Sequence, residues 1–457
     1  MQTEIFATTA LLPSGWARNV ALGIDSAGRI THVTPDARPG TAAHRTGPLV
    51  PAPANLHSHA FQRAMAGLTE ARGPDPRDTF WTWRQQMFRF LDRLTPDDVQ
   101  AITAFVQMEM QEAGFAAVGE FHYLHHAPGG RAYADPAEMS ARICAAAAQT
   151  GIGLTLLPVL YQVGGRDGRE LAPGQVRFGL NPDSFARLVQ ECEGLIRTLP
   201  GDTQMGVAPH SLRAVTDDGL RAAIALAGSR PIHMHLAEQV AEVDELLAHT
   251  GARPVGYLMD RAEITAQWCL IHCTQMTPAE TRSLARTGAI AGLCPITEAS
   301  LGDGIFDAPR FLAAGGSFGI GSDSNIRISL PEELRSLDYS QRLRDRSRAA
   351  LATATRSTGR RLLEDAARGG AQALARGKGS ITVGAWADLA GLAPGHTDLI
   401  GKSGDRILDT LMATGDKSMI RDLWCAGRHM VQSGRHIHRA AITRAYRATL
   451  NRLKDAM

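Results

Sequence analysis

The chain has 457 residues, 44% of them hydrophobic and 21% charged, with a formal net charge of +2. That size favours one large domain plus a smaller one, and the composition is that of an ordinary soluble globular protein. The sequence shows no basic tract, no uninterrupted apolar run of membrane-spanning length and no basic segment ahead of an apolar stretch at Met1–Trp16. A nucleic-acid partner, a membrane span and a secretion signal are therefore not expected.

Taken in chain order, residues 1–48 read as β-rich. Short strands are expected at Glu4–Phe6, Val20–Ile24 and Arg29–Val33, with a turn at Asp25–Gly28. From there, short apolar runs alternate with helical stretches. Strands are expected at Leu49–Leu56, Ala117–Phe121, Gly153–Leu160, Met205–Ala208, Pro231–His235, Trp268–His272, Ala289–Cys294 and Ser317–Gly321. Helical periodicity fills Asp97–Ala113, Pro136–Gln149, Pro182–Thr198, Ala237–Leu247 and Pro278–Arg286. Eight such β-α units are the count of a closed (β/α)8 barrel. An open doubly wound sheet is the alternative, but the first strand is followed by no GxGxxG turn. The segments Gly379–Gly384, Ala387–Leu392 and Ile420–Val431 match the β character of the N-terminus, so both chain ends are expected to build one small β-sandwich domain. The expected divisions are 1–48 and 376–440 for that domain, 49–375 for an α/β, TIM-like barrel and 441–457 for a C-terminal helix.

The six cysteines, Cys144, Cys192, Cys269, Cys273, Cys294 and Cys425, are scattered, which suits a reducing cytoplasm better than a disulfide scaffold.

A barrel carries its active site at the C-terminal ends of its strands. Seven of the eight expected strands end in chemistry: His57-Ser58-His59; Glu120-Phe121-His122-Tyr123; His210-Ser211-Leu212-Arg213; His233-Met234-His235 running to Glu238; His272; Cys294 running to Glu298; and Gly321-Ser322-Asp323-Ser324-Asn325. Within the first, residues i and i+2 share one side of a strand, so His57 and His59 can present two imidazoles to one point. Alone, that pair reads equally well as two ordinary histidines; the later strand ends decide for a metal.

These endings resemble those of the metal-dependent amidohydrolase superfamily, in its deaminase branch. NLHSHAFQRAMAGL, FWTWR, EFHYLHH, HSLRAV, HLAEQ, GLCPITEASLGDGIF and GIGSDS together resemble the formimidoylglutamate deiminases of histidine degradation, from GWARN near the N-terminus to AGR…GRH near the C-terminus. The resemblance implies hydrolysis of N-formimidoyl-L-glutamate to N-formyl-L-glutamate and ammonia. It also implies one divalent cation held by His57, His59, His235 and Asp323. Zinc suits that donor set, with iron and manganese open. His233 is the competing ligand for His235, since only one of the two can face inward. No carboxylated lysine is evident, so a single metal is expected.

In the same reading Asp323 doubles as general base, Glu238 grips the formimidoyl group and passes a proton to the leaving nitrogen, and His272 steadies the tetrahedral intermediate. Arg84 and Arg213 would take the carboxylates of the small dicarboxylate substrate, helped by His210, Tyr123 and Gln62. Plainer readings stand beside these: a surface helix arginine for Arg84, a solvated helix-start residue for Glu238, a helix cap for Ser324 and a core thiol for Cys269. Trp81 and Trp83 are expected to pack or close over the site. Of His122, His125 and His126, His122 is expected to reach it. Relatives often carry His where Asn325 stands. By analogy a homodimer is expected. A ring deaminase acting on a guanine-like base and a catalytically silent barrel are the competing functions. The first has no use for Arg84 and Arg213; the second has no use for a full ligand set.

Overall fold

A computed structural model describes residues 3–40, 42–70 and 80–454, with backbone alone for Phe80, Trp81 and Thr82. The expectation for Trp81, and the last residues of the C-terminal helix, therefore lie outside the described residues.

Strands β1 (Thr3–Leu12), β2 (Gly15–Ile24), β3 (Ile30–Thr34) and β4 (His44–Pro51) open the chain. β5 (Ala54–Ser58), β6 (Ala117–His122), β7 (Gly153–Leu160), β8 (Gln204–Met205), β9 (Ala208–Pro209), β10 (Ile232–Leu236), β11 (Trp268–His272), β12 (Ile290–Leu293) and β13 (Ser317–Ile320) follow. β14 (Leu389–Leu392), β15 (Ile420–Cys425), β16 (Arg428–Gln432) and β17 (Arg435–His436) close it. The first and last groups form one sheet in the order β17-β16-β15-β14-β4-β1-β2-β3, joined where β14 runs antiparallel to β4. Both chain ends thus build one β unit, as expected, and the strands of the expected sandwich form a single eight-stranded sheet. Gly379–Gly384 contributes no strand to it, only a turn beyond which Trp386 bridges Arg29. A helix, Arg439–Leu453, ends the described chain.

β5 to β13 form the parallel barrel. β5 pairs with β6 on one side and with β13 on the other. The broken strand β8/β9 lies beside β7 and reaches β10 through the Val207–Ile232 and Ser211–His235 bridges, which closes the ring. The open-sheet alternative is thereby excluded. β5, β6, β7, β10, β11 and β12 are buried along their whole length, since a core fills one face and helices cover the other. The helices owe their starts to local chemistry. Thr95, Asn181 and Thr277 form capping boxes ahead of Pro96–Glu112, Pro182–Ile196 and Pro278–Ala285, each with proline in the first turn.

One expected strand, Leu49–Leu56, is two. Pro51 and Pro53 lack the amide that a continuous ladder needs. Accordingly Leu49 and Val50 pair with Gly391 and Ala390 in the terminal sheet, and the barrel strand begins only at Ala54.

The two sheets are fastened by charge. Arg376, its side chain 1% exposed, pairs with Asp202 at 3.1 Å and Asp388 at 3.0 Å. Arg428 of β16 reaches the same Asp202 at 2.8 Å. Asp202 precedes β8 in the barrel and Asp388 precedes β14, so one buried cluster spans both bodies.

Candidate active site

The left-handed backbone turns that end the barrel strands place the site. His272 at φ +70°, Asp323 at +47° and Asn325 at +56° all occupy a region costly for side chains other than glycine, at the rim where strain is tolerated for function. Gly321 permits the approach of β13 to β5: a Cβ there would lie 2.8 Å from the His57 Cβ and 2.9 Å from its carbonyl oxygen. The backbones then zip past each other, with Asp323 N–H donating to the His57 carbonyl and His59 N–H to the Asp323 carbonyl, both at 2.9 Å.

Under this zip lies a buried latch. Asn55 donates to Ser322 Oγ at 2.6 Å and accepts from the Ser322 amide at 3.0 Å. Ser322 Oγ–H donates to Asn325 Oδ1 at 2.6 Å, and Asn325 Nδ2–H donates to Ser58 Oγ at 3.1 Å and to the Asp323 carbonyl at 2.9 Å. Asn325 is fully buried and does not line the cavity. Its amide works from behind, holding the two strand ends together. Sequence reasoning noticed Asn325 but not its partners, of which Ser58 lies 267 positions away.

In front of the latch, His57, His59 and His235 form a buried cluster with metal-ligand spacing. His57 Nε2 stands 3.1 Å from His235 Nε2, while Asp323 Oδ1 lies 3.6 Å from His57 Nε2 and 3.3 Å from His59 Nε2. His59 Nδ1 is 2.9 Å from the Phe121 carbonyl and His235 Nδ1 is 3.1 Å from that of His210. In neutral rings those contacts fix the proton on Nδ1 and leave Nε2 a bare lone pair. Burial keeps the rings neutral: it lowers the pKa of His57 and His235, and takes His59 down to about 3. One proton between His57 and His235 could relieve that pair but not also the lone pairs of His59 and Asp323. A single cation among all four groups satisfies them together, so the donor set fits a divalent metal. His233, two residues earlier and on the same side of β10, is taken up by the Ala373 carbonyl, 2.8 Å from its Nε2, so the expectation that only one of the pair could face inward does not hold; what separates them is the partner each ring meets.

His272, Glu238 and Glu298 sit beside this cluster. His272 Nδ1 is 3.2 Å from Glu298 Oε1, and its Nε2 faces Asp323 Oδ2 at 3.8 Å and Glu238 Oε1 at 3.9 Å. Burial works against a charge on His272, but Glu238, Glu298 and Asp323 outweigh it and push the imidazole up to about 10. Glu238 is 4% exposed, so it is no solvated helix-start residue. Its Oε2 lies 3.7 Å from Arg213 Nη2.

His59, His235, Asp323, His272 and Glu238 line one cavity. Arg84, Arg213, His210, Tyr123 and Gln62 also line it, so every residue proposed from sequence to touch substrate is brought to one place. Arg84 sits on helix Phe80–Leu91 and reaches inward to Tyr161, and Gln62 donates to Tyr123 Oη at 2.9 Å. Trp83 lines the same cavity.

Two readings need correction, those of His122 and Ser324, while that of Cys269 holds. His122 is buried and does not line the cavity, because alternation along β6 turns it to the outer face with His125. Glu120 serves as a brace, accepting the Ala60 amide at 2.7 Å, and burial pushes its carboxyl up to about 8. Ser324 caps no helix; its hydroxyl meets that of Thr297 at 2.9 Å. Cys269 packs with Leu56, Ile271 and Ile290, as a core thiol would. Tyr161, Phe178 and Met87 of the cavity wall were missed. For Tyr161 the available signal was its place at the end of the apolar run of β7.

Comparison with known proteins agrees with this geometry. Residues 49–430 match the model of the Amidohydrolase family, and residues 2–47 match that of the Formimidoylglutamate deiminase HutF, N-terminal domain. The chain is 46% identical over 455 residues to the formimidoylglutamate deiminase of Pseudomonas aeruginosa, covering 99% of this chain and 100% of that protein. A crystal structure of an amidohydrolase from Brucella melitensis superposes with a TM-score of 0.95 at 46% identity, covering 99% of this chain and 100% of that one. The 8-oxoguanine deaminase of Pseudomonas aeruginosa is 28% identical over 75% of this chain and 73% of its own.

Proposed function

The chain belongs to the amidohydrolase family and, within it, to the formimidoylglutamate deiminases, and on that premise we propose how its residues carry out the hydrolysis of a formimidoyl group. The reaction is N-formimidoyl-L-glutamate plus water to N-formyl-L-glutamate plus ammonia. The observation that carries it is the convergence of three buried imidazoles and one carboxylate beside a cavity that two arginines also line.

His57, His59, His235 and Asp323 would hold the metal. Zinc is the proposed ion, as the borderline-soft cation that three nitrogens and one oxygen suit. Bound there, such a cation would lower the pKa of a water to roughly 7. Asp323 would act as general base, taking the proton that the attacking water loses as its oxygen adds to the formimidoyl carbon. The carbon then carries the former water oxygen, the departing nitrogen, the retained glutamate nitrogen and hydrogen. His272 donates a hydrogen bond to the oxygen side and stabilises its developing charge. Glu238 pairs with the N–H groups and hands a proton to the departing nitrogen. When the C–N bond breaks, the water has given its oxygen to the formyl product and both protons to ammonia. Arg84 and Arg213, with His210, Tyr123 and Gln62, bind the two carboxylates and orient the chain between them.

The six cysteines are all unpaired and buried, which supports a reducing cytoplasm. No described helix is long and apolar enough to cross a membrane.

The test is ammonia release from formimidoylglutamate, formimidoylaspartate, guanine and cytosine. Turnover confined to the formimidoyl dicarboxylates is the expected result. Release from either base with none from formimidoylglutamate would overturn the substrate reading in favour of ring deamination.

A further inference from the structure

β7 is the one barrel strand to which the sequence assigned no functional end. It finishes at Leu160, and the next residue, Tyr161, is 3% exposed and lines the cavity. Its hydroxyl oxygen receives two hydrogen bonds, from Arg84 Nη2 at 2.5 Å and from Gln175 Nε2 at 2.8 Å. The second is a donor by construction: Gln175 Oε1 is already occupied by the Ala172 amide at 2.8 Å, so the NH2 end must face the tyrosine. A hydroxyl has two acceptor lone pairs and one proton. Two incoming donors occupy the lone pairs, and the proton must point away from both. Among the described residues no acceptor meets it. The ring itself is held edge-on to His210, 4.6 Å between centroids, and tilted against Phe178 at 5.6 Å, so the oxygen has little freedom to move.

We propose that Tyr161 is a further substrate-binding residue, donating its hydroxyl proton to a carboxylate of the bound substrate beside Arg84. A carboxylate only accepts hydrogen bonds, so it complements both a guanidinium and a phenol proton. The phenol adds direction without adding net charge. The arrangement spends one of Arg84's donors on Tyr161, and the phenol returns a donor aimed into the cavity. This inference rests on the dicarboxylate reading of the substrate.

Tyr161→Phe removes the oxygen and keeps the ring. Its kcat/KM for formimidoylglutamate should fall about tenfold to a hundredfold, the range for a lost hydrogen bond to a charged group. The loss should sit in KM, with kcat within about threefold. Binding of glutarate, an unreactive dicarboxylate, should weaken by a similar factor in calorimetry. A residue that merely props Arg84 would behave differently, so the same substitution is made in an Arg84→Ala background. A tyrosine that touches substrate keeps at least a fivefold effect there; one that acts through Arg84 loses it. Disappearance of the effect in that background, or a change below twofold in the single variant, overturns the inference while leaving the proposed reaction standing. A parent protein that releases no ammonia from formimidoylglutamate instead overturns the substrate reading, and this inference with it.

Discussion

Replacing Arg213 by alanine tests the dicarboxylate reading most sharply. Arg213 is 8% exposed and lines the cavity with Nη2 3.7 Å from Glu238 Oε2. Burial disfavours its charge, but Glu242 and Glu238 more than offset this and raise its pKa, so the guanidinium stays charged. A carboxylate held by both arms of the fork makes two charge-assisted hydrogen bonds, each contributing about 1.5 kcal/mol at the low end. Their sum, about 3 kcal/mol, corresponds to a loss on the order of a hundredfold in kcat/KM. Initial rates of ammonia release across a range of formimidoylglutamate concentrations measure it. Alanine also strips the buried carboxylates Glu238 and Glu242 of a nearby cation, which is why lysine is the companion variant. Arg213→Lys keeps the charge and loses the fork, and should recover part of the loss. If Arg213→Ala stays within threefold of the parent, no substrate carboxylate is held there and the reasoning fails.

Asn325→Ala cuts the latch behind the metal donors and should weaken metal retention about tenfold to a hundredfold, as loss of an outer partner of a metal site does. Competition with a chelator measures this, and unchanged affinity would show that the latch does not set the donor geometry. Glu238→Gln should lower kcat at least about a hundredfold, the low end for removing a proton-transfer group, while metal content stays unchanged. A kcat within fivefold would take proton transfer away from Glu238. Arg376→Met leaves Asp202 and Asp388 without a buried counter-charge and should cost about 3–5 kcal/mol in denaturant unfolding. A loss below about 1 kcal/mol would mean that Arg428 alone secures the joint between the sheets.

What could be read from sequence was what local pattern dictates. The eight apolar runs found the barrel, and their polar ends found the cavity, because in a parallel barrel the strand ends are where polar side chains can converge. Alternation alone could not choose between His233 and His235: period two puts both on the same side of the strand and does not say which of them stands level with the other donors. That choice came from resemblance, and the Ala373 carbonyl gives its physical reason by taking His233. Other features lay beyond local pattern. The latch joins residues 267 positions apart, and the Asp202–Arg376 contact spans 174. Neither leaves a trace in neighbouring residues. The break between β4 and β5 was legible in Pro51 and Pro53, yet the apolar character of 49–56 masked it. Tyr161 went unread because one tyrosine after an apolar strand looks like more core until its two donors are seen.

The central claim is that four groups from distant strands share one cation on which ammonia release depends. A chelator titration that follows metal content per chain and ammonia release from formimidoylglutamate in the same samples tests it directly. The account predicts that activity falls in proportion to the loss of one divalent ion per chain and returns when zinc is restored. Undiminished ammonia release from metal-free protein would contradict it.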